Sequence, residues 1–250
     1  MNILGISGKK QAGKNTAANY IHGLVLKQSS TIADFDIDQD GQLIIKTSVD
    51  GDIEHGLLDI TRKDANFMQY AHYNMWPHVK LYSFADGLKS LCMQFFGLSH
   101  EQVHGSDKDK NTPSKIMWED IPTWENSSLN KNRGNMTARE LLQYFGTDVM
   151  RKMYNNVWVD YAISTIRAEQ SSLAIVADVR FPNEVEAIQN AGGRVIRLTR
   201  EFKDDSHSSE NALDKSNYSW DNFDYIIENS SPEVLFEEIK KIYNRLESKC

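Results

Sequence analysis

The sequence predicts an α/β fold wound around a five-stranded parallel sheet, and three observations carry that prediction. Short apolar runs at residues 2–7, 80–85, 173–178, 194–199 and 224–228 are continuous rather than alternating, as strands buried on both faces must be. Helical patterns follow most of them, and that alternation is the signature of α/β architecture. Between the first run and the first helix lies a glycine-rich loop with a lysine, the arrangement of a P-loop NTPase fold.

The first strand leads into Gly8-Lys-Lys-Gln-Ala-Gly13-Lys14-Asn15-Thr16, with the Walker A spacing. Its glycines let the backbone curl and aim successive N–H groups at phosphate oxygens. The helix that follows adds donors and the positive end of its dipole. Gly8, Lys10, Ala12, Gly13, Lys14, Asn15 and Thr16 are therefore the ATP-binding candidates, with Lys14 neutralising the β- and γ-phosphates. The hydroxyl expected beside Lys14 is displaced by one place. Asn15 stands there and Thr16 follows, so Thr16 is assigned to Mg2+. A glycine turn that merely caps a helix is the alternative.

Residues 31–78 read as an insertion containing a hairpin. Asp36-x-Asp38-x-Asp40-Gly41 imitates half of a calcium loop, but Thr47 stands where the bidentate glutamate belongs. A hairpin turned by Gln39, Asp40 and Gly41 is the expectation. Residues 99–136 are polar, with Pro113, Trp118, Pro122 and Trp124 scattered through them, and read as a second insertion, a loop or lid.

Thr137-Ala-Arg139-Glu140 opens a helix with a capping box. At 3.6 residues per turn, Ala138, Leu142, Phe145 and Val149 fall on a core face; Arg139, Gln143 and Gly146 fall on another, with Thr147 at its edge. Glycine in a helix costs about 1 kcal/mol relative to alanine, so close approach of a ligand or backbone would explain Gly146. A solvated face with a helix break is the alternative. The third strand ends in Asp178-Val-Arg180, where a P-loop fold puts its Walker B carboxylate beside the metal. An aspartate that only ends a strand is the competing reading; Arg180 and Glu184 close by favour function. The next helix opens near Pro182 and stops at Gly192 and Gly193. The last opens on Ser231 and Pro232, with Leu235, Ile239, Ile242 and Leu246 as its apolar stripe and Lys240, Lys241, Arg245 and Lys249 in its second half.

These elements fit one domain over all 250 residues, with 40% hydrophobic and 25% charged residues, large enough to hold a core without staples. Cys92 and Cys250 lie in no metal or redox spacing. No apolar run approaches the ~20 residues of a membrane span, and the start lacks a basic leader. A cytoplasmic protein without membrane contact is expected. The net charge of −7 argues against broad nucleic-acid binding, so an anionic ligand must be held by a local cluster of cations.

Five blocks, GKKQAGKNT, SFADGLKSL, TARELLQYFGTDVMR, ADVRFPNEVEAI and DSHSSE, stand in the order they have in bacteriophage deoxynucleoside monophosphate kinases. The chain resembles that family from residue 3 to about 230. The resemblance implies a nucleoside-monophosphate-kinase-like fold with ATP and Mg2+ as co-substrates. It implies a deoxynucleotide acceptor, such as dTMP, dGMP or a modified dCMP, converted to its diphosphate for DNA precursor synthesis in the host cytoplasm. Arg139, Gln143, Gly146 and Thr147 match the family's acceptor pocket, and Trp158 its aromatic near the base. Asp178, Arg180 and Glu184 match its DxR and downstream acid. Lys14, Asp178, Arg139 and Arg180 would carry the transfer, with Thr16 and Asp178 on Mg2+. Trp158 would stack on the base or belong to the core; Asp86 would orient the acceptor's sugar or phosphate from the end of the second strand; Arg197 and Arg200 are candidates for the ATP side. His207 and Glu210 recur without an assignable role. Some relatives carry a second basic residue after the first arginine, where this chain has the capping Glu140. The rival readings are an animal-type phosphomevalonate kinase, from the S-G-K-x-x-x-G-K start, and a nucleotide-binding subunit without turnover. A homodimer is left open.

Overall fold

The computed structural model describes residues 2–49, 52–122, 124, 132–200 and 211–248; His207, Glu210 and the whole DSHSSE block lie outside them. The strands are β1 (Asn2–Gly8), β2 (Asp34–Ile37), β3 (Leu43–Val49), β4 (Asp52–Leu58), β5 (Val79–Tyr82), β6 (Pro113–Met117), β7 (Asn135–Thr137), β8 (Leu173–Val179), β9 (Arg194–Thr199) and β10 (Tyr225–Glu228). The α-helices are α1 (Lys14–Gln28), α2 (Ala65–Asn74), α3 (Asp86–Phe96), α4 (His100–His104), α5 (Asp107–Lys110), α6 (Ala138–Gln143), α7 (Val157–Glu169), α8 (Pro182–Asn190) and α9 (Pro232–Glu247). The chain forms two compact units, Met1–Ser83 with Ile163–Cys250, and Phe84–Ala162.

The first unit holds the expected sheet, all parallel, in the order β10-β9-β1-β8-β5. Successive side chains point to opposite faces, and both faces are covered. Leu4 and Ile6 of β1 share one core with Ala17, Ile21 and Val25 of α1 and Leu235, Ile239 and Ile242 of α9. Truncating one of these leucines or isoleucines to alanine costs on the order of 2–5 kcal/mol. On the other face, Gly5 admits α8 so closely that a Cβ there would lie 2.7 Å from Ile188 Cδ1. The α9 stripe is as expected at Leu235, Ile239 and Ile242, with Tyr243 rather than Leu246 as its fourth buried member.

Residues 31–78 hold more than a hairpin, namely a three-stranded antiparallel sheet β2-β3-β4 and then α2. The sequence concealed β4 because nearly all of it is exposed, which removes the apolar signal. The β2–β3 turn is the hairpin expected in place of a calcium loop. Asp38 Oδ1 accepts from the Asp40 and Gln42 N–H groups at 2.9 and 2.8 Å, committing that carboxylate to the turn.

In the second unit, the stretch read as an irregular lid carries α4, α5 and the β6–β7 pair. Cys92, Leu98, Val103, Trp118, Met136, Ala138 and Leu141 form its core. The capping box at α6 is present: Thr137 Oγ1 accepts from Glu140 N–H at 3.2 Å, and Glu140 Oε2 from Thr137 N–H at 2.8 Å. The continuous helix is not. After Gln143 the chain widens into a π-helical segment, Tyr144–Arg151, whose i→i+5 bonding rotates the faces. Val149, expected in the core, is therefore exposed, while in α6 itself Leu141 is buried alongside Ala138. No described helix is long and apolar enough to cross a membrane.

Candidate active site

β1 delivers the chain to Gly8, where a Cβ would lie 3.0 Å from both Ala12 Cβ and the Leu198 carbonyl oxygen. The loop closes as Ala12 N–H donates to the Lys9 carbonyl at 3.1 Å. It turns through Gly13 at φ 95, a left-handed conformation that suits glycine. α1 then begins with no side-chain cap and no acid in its first turn, which leaves the positive end of its dipole to an anion. Lys14 Nζ donates to the Gly8 and Lys9 carbonyls at 2.6 and 2.7 Å, so its ammonium lies against the loop.

Lys10, Gly13, Lys14, Asn15 and Thr16 line a cavity of about 740 Å3, a size that accommodates a nucleotide; Ala12 is buried beneath them. Arg180, Arg200, Asn229 and the start of α9 form further walls. So does the β2–β3 turn, through Asp38, Gln39, Asp40 and Gly41. That turn is pinned to α1, because Asn19 Nδ2 donates to the Gly41 carbonyl at 2.8 Å. Gly41 itself rests on Thr16, with a would-be Cβ only 2.2 Å from Thr16 Oγ1. The insertion that the sequence left without a role is thus a wall of this cavity.

Asp178 sits at a bulge. Gly5 pairs with Val176 and Ser7 with Val179, so Ala177 and Asp178 together oppose Ile6; bulges re-aim side chains in this way. Asp178 Oδ2 accepts from Ser83 Oγ–H at 2.5 Å. The Thr16 hydroxyl and the Asp178 carboxylate are hard oxygen donors, the type Mg2+ takes alongside phosphate and water. Glu184 is 2% exposed, and its Oε2 accepts from the Arg180 and Phe181 N–H groups at 2.7 and 3.1 Å. Its placement among residues that touch the acceptor is corrected accordingly: the carboxylate fixes the turn from which Arg180 projects.

The remaining candidates lie in the second unit. Arg139 Nη2 donates to Asp107 Oδ1 at 2.6 Å and Nε to Asn111 Oδ1 at 3.1 Å, partners that the sequence did not suggest. Gln143 and Thr147 are exposed. Gly146 is buried, and the close approach it permits is that of Leu88, whose Cδ2 would lie 2.6 Å from a Cβ. Packing, not a ligand, explains that glycine. Trp158 is 4% exposed, and its Nε1–H donates to the Gly146 carbonyl at 3.1 Å. It takes the core alternative, leaving no open ring face for a base. Asp86 does not end a strand; β5 stops at Tyr82, and Asp86 opens α3, where its charge favours the helix N-terminus.

Of the two arginines proposed for the ATP side, Arg200 lines the cavity. Arg197 is buried, donates to Ser7 Oγ at 3.0 Å and pairs with Asp214 at 3.4 Å. Asp214 in turn meets Lys9 at 3.2 Å, so Arg197 supports the loop from behind.

Residues 2–241 match the model of the deoxynucleotide monophosphate kinase family. A protein of Acanthamoeba polyphaga mimivirus described as "Putative deoxynucleotide monophosphate kinase" is 29% identical over 171 residues, 63% of this chain and 79% of that relative. With a family match over residues 2–241, laid on a parallel sheet whose first strand runs into a glycine- and lysine-bearing loop, the chain belongs to the deoxynucleotide monophosphate kinase family.

Proposed function

We propose that the cavity above the loop holds ATP, and that the residues named here transfer its γ-phosphate to the 5′-phosphate of a deoxynucleoside monophosphate. Kinase activity on deoxynucleotides follows from the family. The observation supporting this siting is that the loop, Arg180 and Arg200 line one cavity of about 740 Å3.

An acceptor phosphate oxygen attacks the γ-phosphorus while the bond to the ADP oxygen breaks. Such a transfer needs alignment and charge neutralisation more than covalent help from the protein. The loop N–H groups and Lys14 hold the donor phosphates. Thr16 and Asp178 would hold Mg2+, which, when bound, offsets phosphate charge. Arg139 and Arg180 hold the acceptor phosphate and meet the charge that spreads in transit. Gln143 reads a base edge, Thr147 and Asp86 orient the nucleotide, and Glu184 positions Arg180. The acceptors we expect are dTMP, dGMP or a modified dCMP, phosphorylated in the cytoplasm.

Lys14→Ala should abolish ADP release with every monophosphate in a panel, while the thermal melt stays close to that of the unaltered protein. Near-normal turnover in a folded variant would remove the loop from the mechanism. Turnover with phosphomevalonate and none with deoxynucleotides would replace the acceptor class.

A further inference from the structure

We infer that Asn229 is a positioning residue of the phosphate-binding loop, setting the direction of the Gly13 N–H. The inference rests on the reading of residues 8–16 as the ATP site. Asn229 directly follows β10 and is 5% exposed. Its own N–H donates to the Thr199 carbonyl at 2.7 Å, which ties its backbone to the end of β9. Its side chain then reaches across to the loop, where Nδ2 donates to the Ala12 carbonyl at 3.0 Å.

That carbonyl belongs to the same peptide unit as the Gly13 N–H. The unit is trans, and in a planar trans peptide the C=O and the following N–H point in opposite directions. Holding the Ala12 oxygen on the Asn229 side therefore turns the Gly13 N–H away from Asn229, as a donor for the phosphate cradle. The fit is close. A Cβ on Gly13 would lie 2.5 Å from Asn229 Nδ2, so glycine at position 13 and asparagine at 229 belong to one arrangement. A buried carbonyl is costly to leave without a donor, which gives the peptide a reason to keep this orientation.

The test uses the full chain and titrates ATP and, separately, inorganic tripolyphosphate. Asn229→Leu keeps the branched shape of the side chain and removes the donor. It should weaken both ligands about 10-fold and leave the KM for the deoxynucleotide nearly unchanged. Asn229→Asp keeps shape but cannot donate while ionised. Burial raises the carboxyl's affinity for a proton, and the variant's ATP affinity, relative to the unaltered protein at the same pH, should recover as pH is lowered through the carboxyl's own titration; a role confined to packing gives no such recovery. Unchanged ATP and tripolyphosphate affinity in both variants overturns the inference. So does a loss for ATP with none for tripolyphosphate, which would put Asn229 on the nucleoside. If the unaltered protein binds neither ligand, the ATP-site reading itself fails.

Discussion

Arg139 shows what a single residue's surroundings add to its sequence context. The TARE block marked it as a cation on a polar helix face, but Asp107 and Asn111, which hold its guanidinium, come from a stretch that read as irregular loop. A guanidinium held in one orientation loses less freedom on meeting a phosphate. Arg139→Ala should lower kcat/KM for the deoxynucleotide by about 1.5–3 kcal/mol, roughly 10- to 150-fold, with little change in ATP affinity. Asp107→Ala, which leaves the cation but frees it, should cost less than about 10-fold. Separate titrations of donor and acceptor would show both, and arginine variants that lost ATP while keeping the acceptor would reverse the two sites. Lys14, Asp178 and Arg180 could be singled out as candidates because motif and strand end coincide, and Lys14 and Arg180 line the cavity. Ser83, Asn229 and the cavity-lining role of Asp38 and Asp40 were not, since their partners are far away in sequence.

At the level of elements, continuous apolar strands and helix caps were readable. Local hydrogen bonding and burial on both faces leave a mark on nearby residues, as at residues 173–178 and at Ser231. The β4 strand left none, being exposed, and α4 and α5 are so short that only their Ser99-x-x-Gln102 and Ser106-x-x-Asp109 capping boxes announce them. The π-helical segment has no propensity signature either; it is set by packing. Gly146→Ala tests that. Alanine gains about 1 kcal/mol of helix propensity but meets Leu88, and overpacking costs about 1–3 kcal/mol. A net fall in melting temperature is expected, and in a Leu88→Ala background the same substitution should become neutral or stabilising.

For the whole molecule, His22 links stability to pH. It is buried in α1 with Nδ1 at 2.9 Å from the Ala18 carbonyl, and burial pushes its imidazole down to about 4. Because the folded value lies below the unfolded one, near 6.5, the unfolded chain takes up the proton first. The stabilisation is therefore complete above pH ~6.5 and is lost as pH falls towards 4, on the order of 3 kcal/mol. Urea melts across that window should show the decline, and His22→Leu should flatten it. The sheet order has a consequence for synthesis. β1, the first of the sheet's five strands in chain order, is central, and its two neighbours begin far downstream at Leu173 and Arg194. Until some 200 residues have been translated, the nascent chain carries a bare apolar strand and a loop with no scaffold beneath it. Folding must wait on contacts of long sequence separation, which are slow to close. During that wait the exposed β1 segment is a target for chaperones or for aggregation, so ribosome-arrested chains ending near residue 170 should bind no ATP.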